Sequence, residues 1–155
     1  VTLEVISTAE RPALVPTVAG WVWGEFWRGH GHTLEETLAA VSETVTARDL
    51  PQTYILLADG RPVGTASLAA KDLEERPDLT PWLAGVFVEP ESRGRGYAAR
   101  LVAAVEGVCV KRSIATLWLY TRTAERIYAR CGWRTVDNVE HNGKTYALMR
   151  RDLIG

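Results

Sequence analysis

Arg93-Gly94-Arg95-Gly96-Tyr97-Ala98 is the densest run of residues in this chain with the capacity for chemistry. It immediately precedes a stretch in which Ala98, Leu101, Val102, Val105, Val108 and Cys109 recur at helical spacing. A helix start offers unpaired amides and the positive end of the helix dipole. Gly94 and Gly96 let the backbone approach a ligand closely, and Arg93 and Arg95 add charge-assisted donors. Such a loop suits a pyrophosphate. No Gly-Lys-Ser/Thr follows, so it is not a P-loop, and it lacks the dinucleotide spacing Gly-x-Gly-x-x-Gly. Taken alone, the run is equally a plain helix N-terminus. The histidines are His30, His32 and His141. His30-Gly31-His32 has the form of a metal pair, but no Cys or His cluster completes it, so no metal is expected and a loop or ligand-facing role fits better.

The elements that must position the loop follow from periodicity. Pro81 to Val88 reads as a strand stopped by Glu89-Pro90, Gly94 to Arg112 as the best helix, and Thr116 to Tyr120 as a short apolar strand. Strand, helix, strand makes a βαβ crossover, which requires parallel strands and puts the loop at a strand's carboxyl end, where open α/β sheets bind ligands. Upstream, Val1 to Ile6 alternates as a first strand, and Arg11 to Trp27 carries Trp23, Phe26 and Trp27 at helical spacing. Thr33-Leu34-Glu35-Glu36 is a capping box opening a helix with Leu34, Leu38, Val41 and Val45 on one stripe. Tyr54 to Ala58 and Pro62 to Ala70 flank Asp59-Gly60 as a hairpin. Downstream, Thr123 to Cys131 is a short helix ended by Gly132. Trp133 to Val139 and Lys144 to Met149 pair around Asn142-Gly143. The predicted fold class is α/β, a mixed sheet with one central parallel crossover, in a single domain over 1–155.

Composition bounds the function. The 155 residues are 46% hydrophobic and 24% charged, with a net charge of −1. This excludes a disordered or fibrous chain and gives no sign of a nucleic-acid or membrane-surface partner. The mean conceals a division: residues 1–92 hold 6 Lys and Arg against 14 Asp and Glu, whereas residues 93–155 hold 12 against 5. Cys109 and Cys131 are too few for a disulfide framework and read as small hydrophobes, which predicts an intracellular, cytoplasmic chain. No apolar run reaches membrane-spanning length. Val1 to Arg11 shows no leader signature, although the missing initiator Met leaves a lost leader open.

With these elements in place, Val86 to Leu101, including the Arg-Gly loop, resembles the acetyl-CoA-binding motif of the GNAT superfamily of N-acetyltransferases. The pattern Arg/Gln-x-x-Gly-x-Gly/Ala falls on Arg93, Gly96 and Ala98. A second family element, Tyr-x-x-x-Gly-aromatic, falls on Tyr128 to Trp133. The likeness in sequence covers about residues 81–135, and the first 50 residues match in outline alone.

The resemblance implies that backbone amides from Arg93 to Ala98, Tyr97 among them, cradle the pyrophosphate of acetyl-CoA. It implies that Phe87 and Val88 hydrogen-bond pantetheine between parting strands, where an amide could polarise the thioester carbonyl. Tyr128 takes the position of the acid that protonates the departing thiolate. Thr121 stands where relatives often have Asn, which leaves that cofactor contact in question. The general base is open. Trp82 to Val88 carries no carboxylate, and Asp72, Glu74, Glu75, Glu89, Glu25 or a water chain are the alternatives. The first helices of the family usually wall the acceptor site, so Trp27 and His30, together with Trp82, are the candidate acceptor contacts. Trp21, Trp23 and His32 lie in the same segment. Aromatics there could hold a cationic amine by cation–π contact, while core packing would account for at least two of these tryptophans. The expected reaction is acetyl transfer from acetyl-CoA to a primary amine of a small molecule or peptide. A catalytically silent acyl-CoA-binding module is the alternative, and both the acceptor and a homodimeric state remain open.

Overall fold

Thr33 shows how local chemistry sets the elements. In a computed structural model that describes residues 1–153, its Oγ1 accepts from the Glu36 amide at 3.1 Å while Glu36 Oε1 accepts from the Thr33 amide at 3.1 Å. This reciprocal cap starts α2 (Leu34–Thr46). The segment before it is less regular than its periodicity predicts. Arg11 to Trp27 divides into a 3-10 turn at Pro12–Leu14, α1 (Val15–Val22) and a π turn at Trp23–Trp27. Pro12 and Pro16 supply no amide, so each stands at the beginning of an element and cannot continue one.

Among the described residues, seven strands form one sheet in the order β1-β2-β3-β4-β5-β7-β6. They are β1 (Leu3–Ser7), β2 (Gln52–Ala58), β3 (Arg61–Ala69), β4 (Trp82–Val88), β5 (Thr116–Thr121), β6 (Arg134–His141) and β7 (Lys144–Asp152). All neighbours are antiparallel except β4 and β5, which are joined through α3 (Tyr97–Lys111). The βαβ crossover is thus where the sequence placed it. Strand alternation divides the core. Leu56 faces α3 and packs with Leu101 and Val105, whereas Ile55 and Leu57 face α1 and α2 and pack with Val18 and Val41. Cys109 is completely buried on the α3 side, and burial pushes its thiol up to about 11, as befits an inert hydrophobe.

The β4–β5 pair is joined only at its beginning. Trp82 registers with Trp118, and the Trp118 amide donates to the Pro81 carbonyl at 3.1 Å. Beyond that point the strands part. The cause lies in β4, where the pairing with β3 slips a register between Thr65 and Ser67 and Gly85 takes a left-handed φ of +60°. A bulge of this kind bends its strand away from its neighbour.

Two expected ligand contacts are corrected by this geometry. Trp82 is fully buried with Leu73 and Leu148, and its indole N–H donates to the Leu79 carbonyl at 2.8 Å. It is core, with no surface for an acceptor. Phe87 registers with Thr65, and Glu89, two residues on, donates its amide to the Val63 carbonyl at 2.9 Å. Strand alternation therefore turns the Phe87 main chain towards β3 and leaves Val88 facing the parting.

Candidate active site

The Arg93–Ala98 loop is built as an open donor cradle. Gly94 and Gly96 have φ of +79° and +77°, a region in which L side chains are strained. Gly96 is the residue before α3, and no side chain caps the helix. The first intrahelical bond runs from the Arg100 amide to the Gly96 carbonyl, so the amides of Tyr97, Ala98 and Ala99 precede the helical ladder. The Tyr97 ring is buried in the core, so only its amide can serve a ligand.

The two arginines have different tasks. Arg95 is exposed beside the loop, whereas Arg93 Nε donates to the Val88 carbonyl at 2.9 Å. The Arg93 guanidinium also lies over the Phe87 ring, 5.7 Å from its centre. Half of Arg93 thus holds the end of β4, leaving its outer nitrogens for an anion. On the other side, the Phe87 ring meets Trp21 of α1 at 5.6 Å.

From the parting, a cleft of about 890 Å³ runs between α1, α2, the β3–β4 connection and the β6–β7 hairpin. Trp27, His30, Thr121 and Tyr128 all line it, so the fold brings these four expected residues together from distant parts of the chain. Trp21, Trp23 and Trp27 are all only half-buried, which overturns the expectation that at least two are core. The π turn and the Trp23 indole, which donates to the His32 carbonyl at 2.9 Å, hold this aromatic wall at the surface.

Thr121 Oγ1 accepts from the Ala124 amide at 3.1 Å and so fixes the approach to α4 (Glu125–Arg130), leaving its O–H to donate and one lone pair to accept. Tyr128 in α4 packs edge-on against Trp133 at 6.2 Å. Burial pushes its phenol up to about 12, with Cys131 adding slightly, so it stays protonated throughout the neutral range.

Sequence alone did not rank the carboxylates, but the cleft does. Glu25, Glu43, Asp72 and Glu74 line it, whereas Glu89 is ion-paired with Arg61 at 3.0 Å outside it. Asp72 is exposed to the cleft, and the walls around it withhold enough water from the charged form to push its carboxyl up to about 7, opposed by the charge of His141. His141, Tyr120 and Tyr146 line the same wall and had no distinct role at the level of sequence. The only signal for His141 was its place beside the Asn142-Gly143 turn.

Comparison with known proteins agrees with this geometry. Residues 17–133 match the model of the Acetyltransferase (GNAT) family. The chain belongs to the GNAT acetyltransferase family. It is 36% identical over 91 residues to an aminoglycoside N(6')-acetyltransferase type 1 of Salmonella enteritidis, a match covering 53% of this chain and 62% of that protein. The chain therefore spans about three-fifths of that relative's length. Among solved structures, it is similar to an aminoglycoside 6'-N-acetyltransferase complexed with coenzyme A, with a TM-score of 0.79 and 13% identity, covering 100% of this chain and 98% of the other. A ribosomal L7/L12 alpha-N-protein acetyltransferase in complex with coenzyme A aligns with a TM-score of 0.74 and 16% identity, covering 97% and 94%. The mixed seven-stranded sheet with its central crossover is the GNAT acyl-CoA N-acyltransferase fold. Among the described residues, no helix is long and apolar enough to cross a membrane, and no group of three or more His, Cys, Asp or Glu could hold a metal ion.

Proposed function

We propose that this chain transfers an acetyl group from acetyl-CoA to a primary amine of a small, cationic acceptor. The observation that carries this reading is a single cleft in which Tyr128 and Asp72 both line the walls beside the β4–β5 parting. Acetyl-CoA fits the open donors: the uncapped amides from Tyr97 to Ala99, the outer nitrogens of Arg93, and Arg95 would hold its pyrophosphate. Val88, rather than Phe87, offers its amide to pantetheine across the parting. When bound, acetyl-CoA supplies the acetyl group as an activated thioester.

The protein's own groups handle the protons. An alkylammonium near pKa ~10.4 must lose a proton before its nitrogen can attack, and an ordinary aspartate near ~3.9 is a poor match for it. Asp72 at about 7 roughly halves that gap. Tyr128 keeps its proton at neutral pH and donates a hydrogen bond that strengthens as charge grows on the departing sulfur. Opposite them, Trp27 and His30 with Glu25 and Glu43 form an aromatic and acidic wall suited to ammonium groups. The aminoglycoside acetyltransferase relative supports an acceptor with several amines. The scarcity of cysteines and the buried Cys109 fit a cytoplasmic setting.

The test is CoA release from acetyl-CoA against a panel of aminoglycosides, polyamines, simple alkylamines and peptides with free N-termini. Turnover on multiply charged small amines is expected. Tight acetyl-CoA binding with no turnover on any amine would overturn the proposal in favour of an acyl-CoA-sensing module.

A further inference from the structure

Tyr128 lines the cleft, but the groups that hold it in place lie behind the cleft wall. Its helix, α4, ends in a Schellman cap. The Trp133 amide donates to the Tyr128 carbonyl at 3.1 Å, the Gly132 amide donates to the Ala129 carbonyl at 3.1 Å, and Gly132 takes a left-handed φ of +94°. The apolar contact that accompanies this cap is the edge-on packing of the Tyr128 and Trp133 rings. A six-residue helix has little stability of its own. The direction of Tyr128 therefore depends on what holds Gly132 and Trp133, and two other elements do so. Arg151 of β7 donates from Nη1 to the Gly132 carbonyl at 3.0 Å and from Nε to Glu106 Oε1 of α3 at 3.2 Å. Glu106 Oε2 accepts from the Trp133 indole at 3.4 Å. The Glu106 side chain is only 15% exposed, so Arg151 and the indole replace much of its hydration. A Cβ on Gly132 would lie 2.7 Å from the central guanidinium carbon of Arg151, so both the φ and the arginine require glycine there. Neither Arg151 nor Glu106 lines the cleft.

We propose that the Arg151–Glu106 pair is a clamp that positions the Tyr128 hydroxyl by tying the end of α4 to α3 and β7. The inference rests on the acetyl-transfer reading, in which Tyr128 donates to the departing sulfur, and deepens it. A sequestered ion pair is an inefficient source of stability, because desolvation consumes much of the attraction. Its use here is geometric. The rigid guanidinium fork holds the Gly132 carbonyl and the Glu106 carboxylate in a fixed relation. Glu106 in turn holds the indole against which Tyr128 packs, so backbone and ring of the cap are set together. A misplacement of about 1 Å can cost about 10²-fold in rate, so a small rotation of α4 is enough to matter. An apolar pair in the same space would pack α3 against β7 but leave the cap of α4 unanchored. Arg151 and Glu106 touch no reacting atom. Both are positioning residues, and they act through Tyr128.

The test uses the full chain and the amine that the wild type acetylates fastest. Arg151→Ala should lower kcat about tenfold or more while KM for acetyl-CoA changes by less than about threefold. The deciding measurement is a double-mutant cycle with Tyr128→Phe. On the Tyr128→Phe background, Arg151→Ala should lower kcat by less than about twofold further, because the hydroxyl it positions is already gone. A role in general stability alone would lower kcat by the same factor on both backgrounds. Glu106→Gln keeps an acceptor for the indole but removes the charge that faces Arg151. It should show a smaller loss with the same dependence on Tyr128, so the test survives if Arg151→Ala folds poorly. Wild-type kcat in both variants, or losses that multiply with that of Tyr128→Phe, would overturn the clamp while leaving acetyl transfer intact. Wild-type kcat in Tyr128→Phe would overturn the donor role of Tyr128, and the clamp with it. A wild-type chain that acetylates no amine would overturn the acetyl-transfer reading itself.

Discussion

In the proposed reaction Asp72 and Tyr128 would divide the proton chemistry, because their surroundings shift both groups upward from different starting values. Burial of a carboxylate makes it a stronger base, whereas burial of a phenol makes it a more persistent donor. The sign for pH dependence follows. The base must be ionised, so kcat/KM should be low below the Asp72 value of about 7 and rise through it to a plateau. Asp72→Asn should lower kcat by roughly 10²–10⁴-fold and erase that limb, measured as CoA release across pH. Tyr128→Phe should lower kcat by about tenfold or more while changing the acetyl-CoA Kd by less than about threefold in calorimetry. Equal losses in both would mean that Tyr128 only packs against the cofactor.

At the scale of the element, the N-terminus of α3 and the end of β4 form one unit. Arg93 ties the loop back to Val88, and Gly64 allows β3 to lie close to β4, since a Cβ there would sit 2.7 Å from the Phe87 carbonyl oxygen. Gly96 is a different case, because a Cβ there meets nothing within 4 Å and only the left-handed φ opposes a side chain. Asp tolerates that conformation comparatively well, at a cost of about 1 kcal/mol. Gly96→Asp should therefore fold, but its carboxylate would occupy the helix amides and repel a pyrophosphate. A loss of about 2 kcal/mol or more in acetyl-CoA binding is expected by calorimetry, with a near-native thermal midpoint.

For the whole molecule, the uneven charge along the chain becomes spatial. Asp72, Glu74, Glu25 and Glu43, all from the acidic first part, face the cleft, while Arg93 and Arg95 begin the basic part at the phosphate cradle. One sheet thus carries acidic and basic groups at two separate places, which suits the proposed pair of ligands of opposite sign. The tryptophans divide by the same architecture. Trp82→Ala removes a fully buried side chain and should cost about 3–5 kcal/mol, lowering Tm by roughly 10 °C or more by calorimetry. Trp27→Ala, at the cleft wall, should leave Tm within about 3 °C. It should raise the KM of cationic acceptors several-fold without changing acetyl-CoA affinity.

The glycine loop before α3, the crossover and the short helix that carries Tyr128 were legible in the sequence because each is a local pattern: glycines at a strand-to-helix turn, apolar periodicity of 3.6, and a tyrosine four residues before Gly132. The capping box at Thr33 was legible for the same reason, since its partners are three residues apart. Which tryptophan was core was not legible. Trp82 and Trp27 differ in what packs over them, and the cover over Trp82 comes from Leu73, Leu79 and Leu148 on other elements. The Phe87 main chain was misassigned because strand alternation depends on the β3 register, which the strand's own sequence does not reveal. Asp72 stood among several unranked carboxylates. Proton affinity arises from the surroundings and from neighbours far along the chain, as His141 is from Asp72. The sequence by itself determined the βαβ crossover and the glycine-containing loop at the start of α3, because both are built from contiguous backbone. Only the tertiary structure selected the candidate base, because its environment is assembled from segments that meet only when the sheet closes.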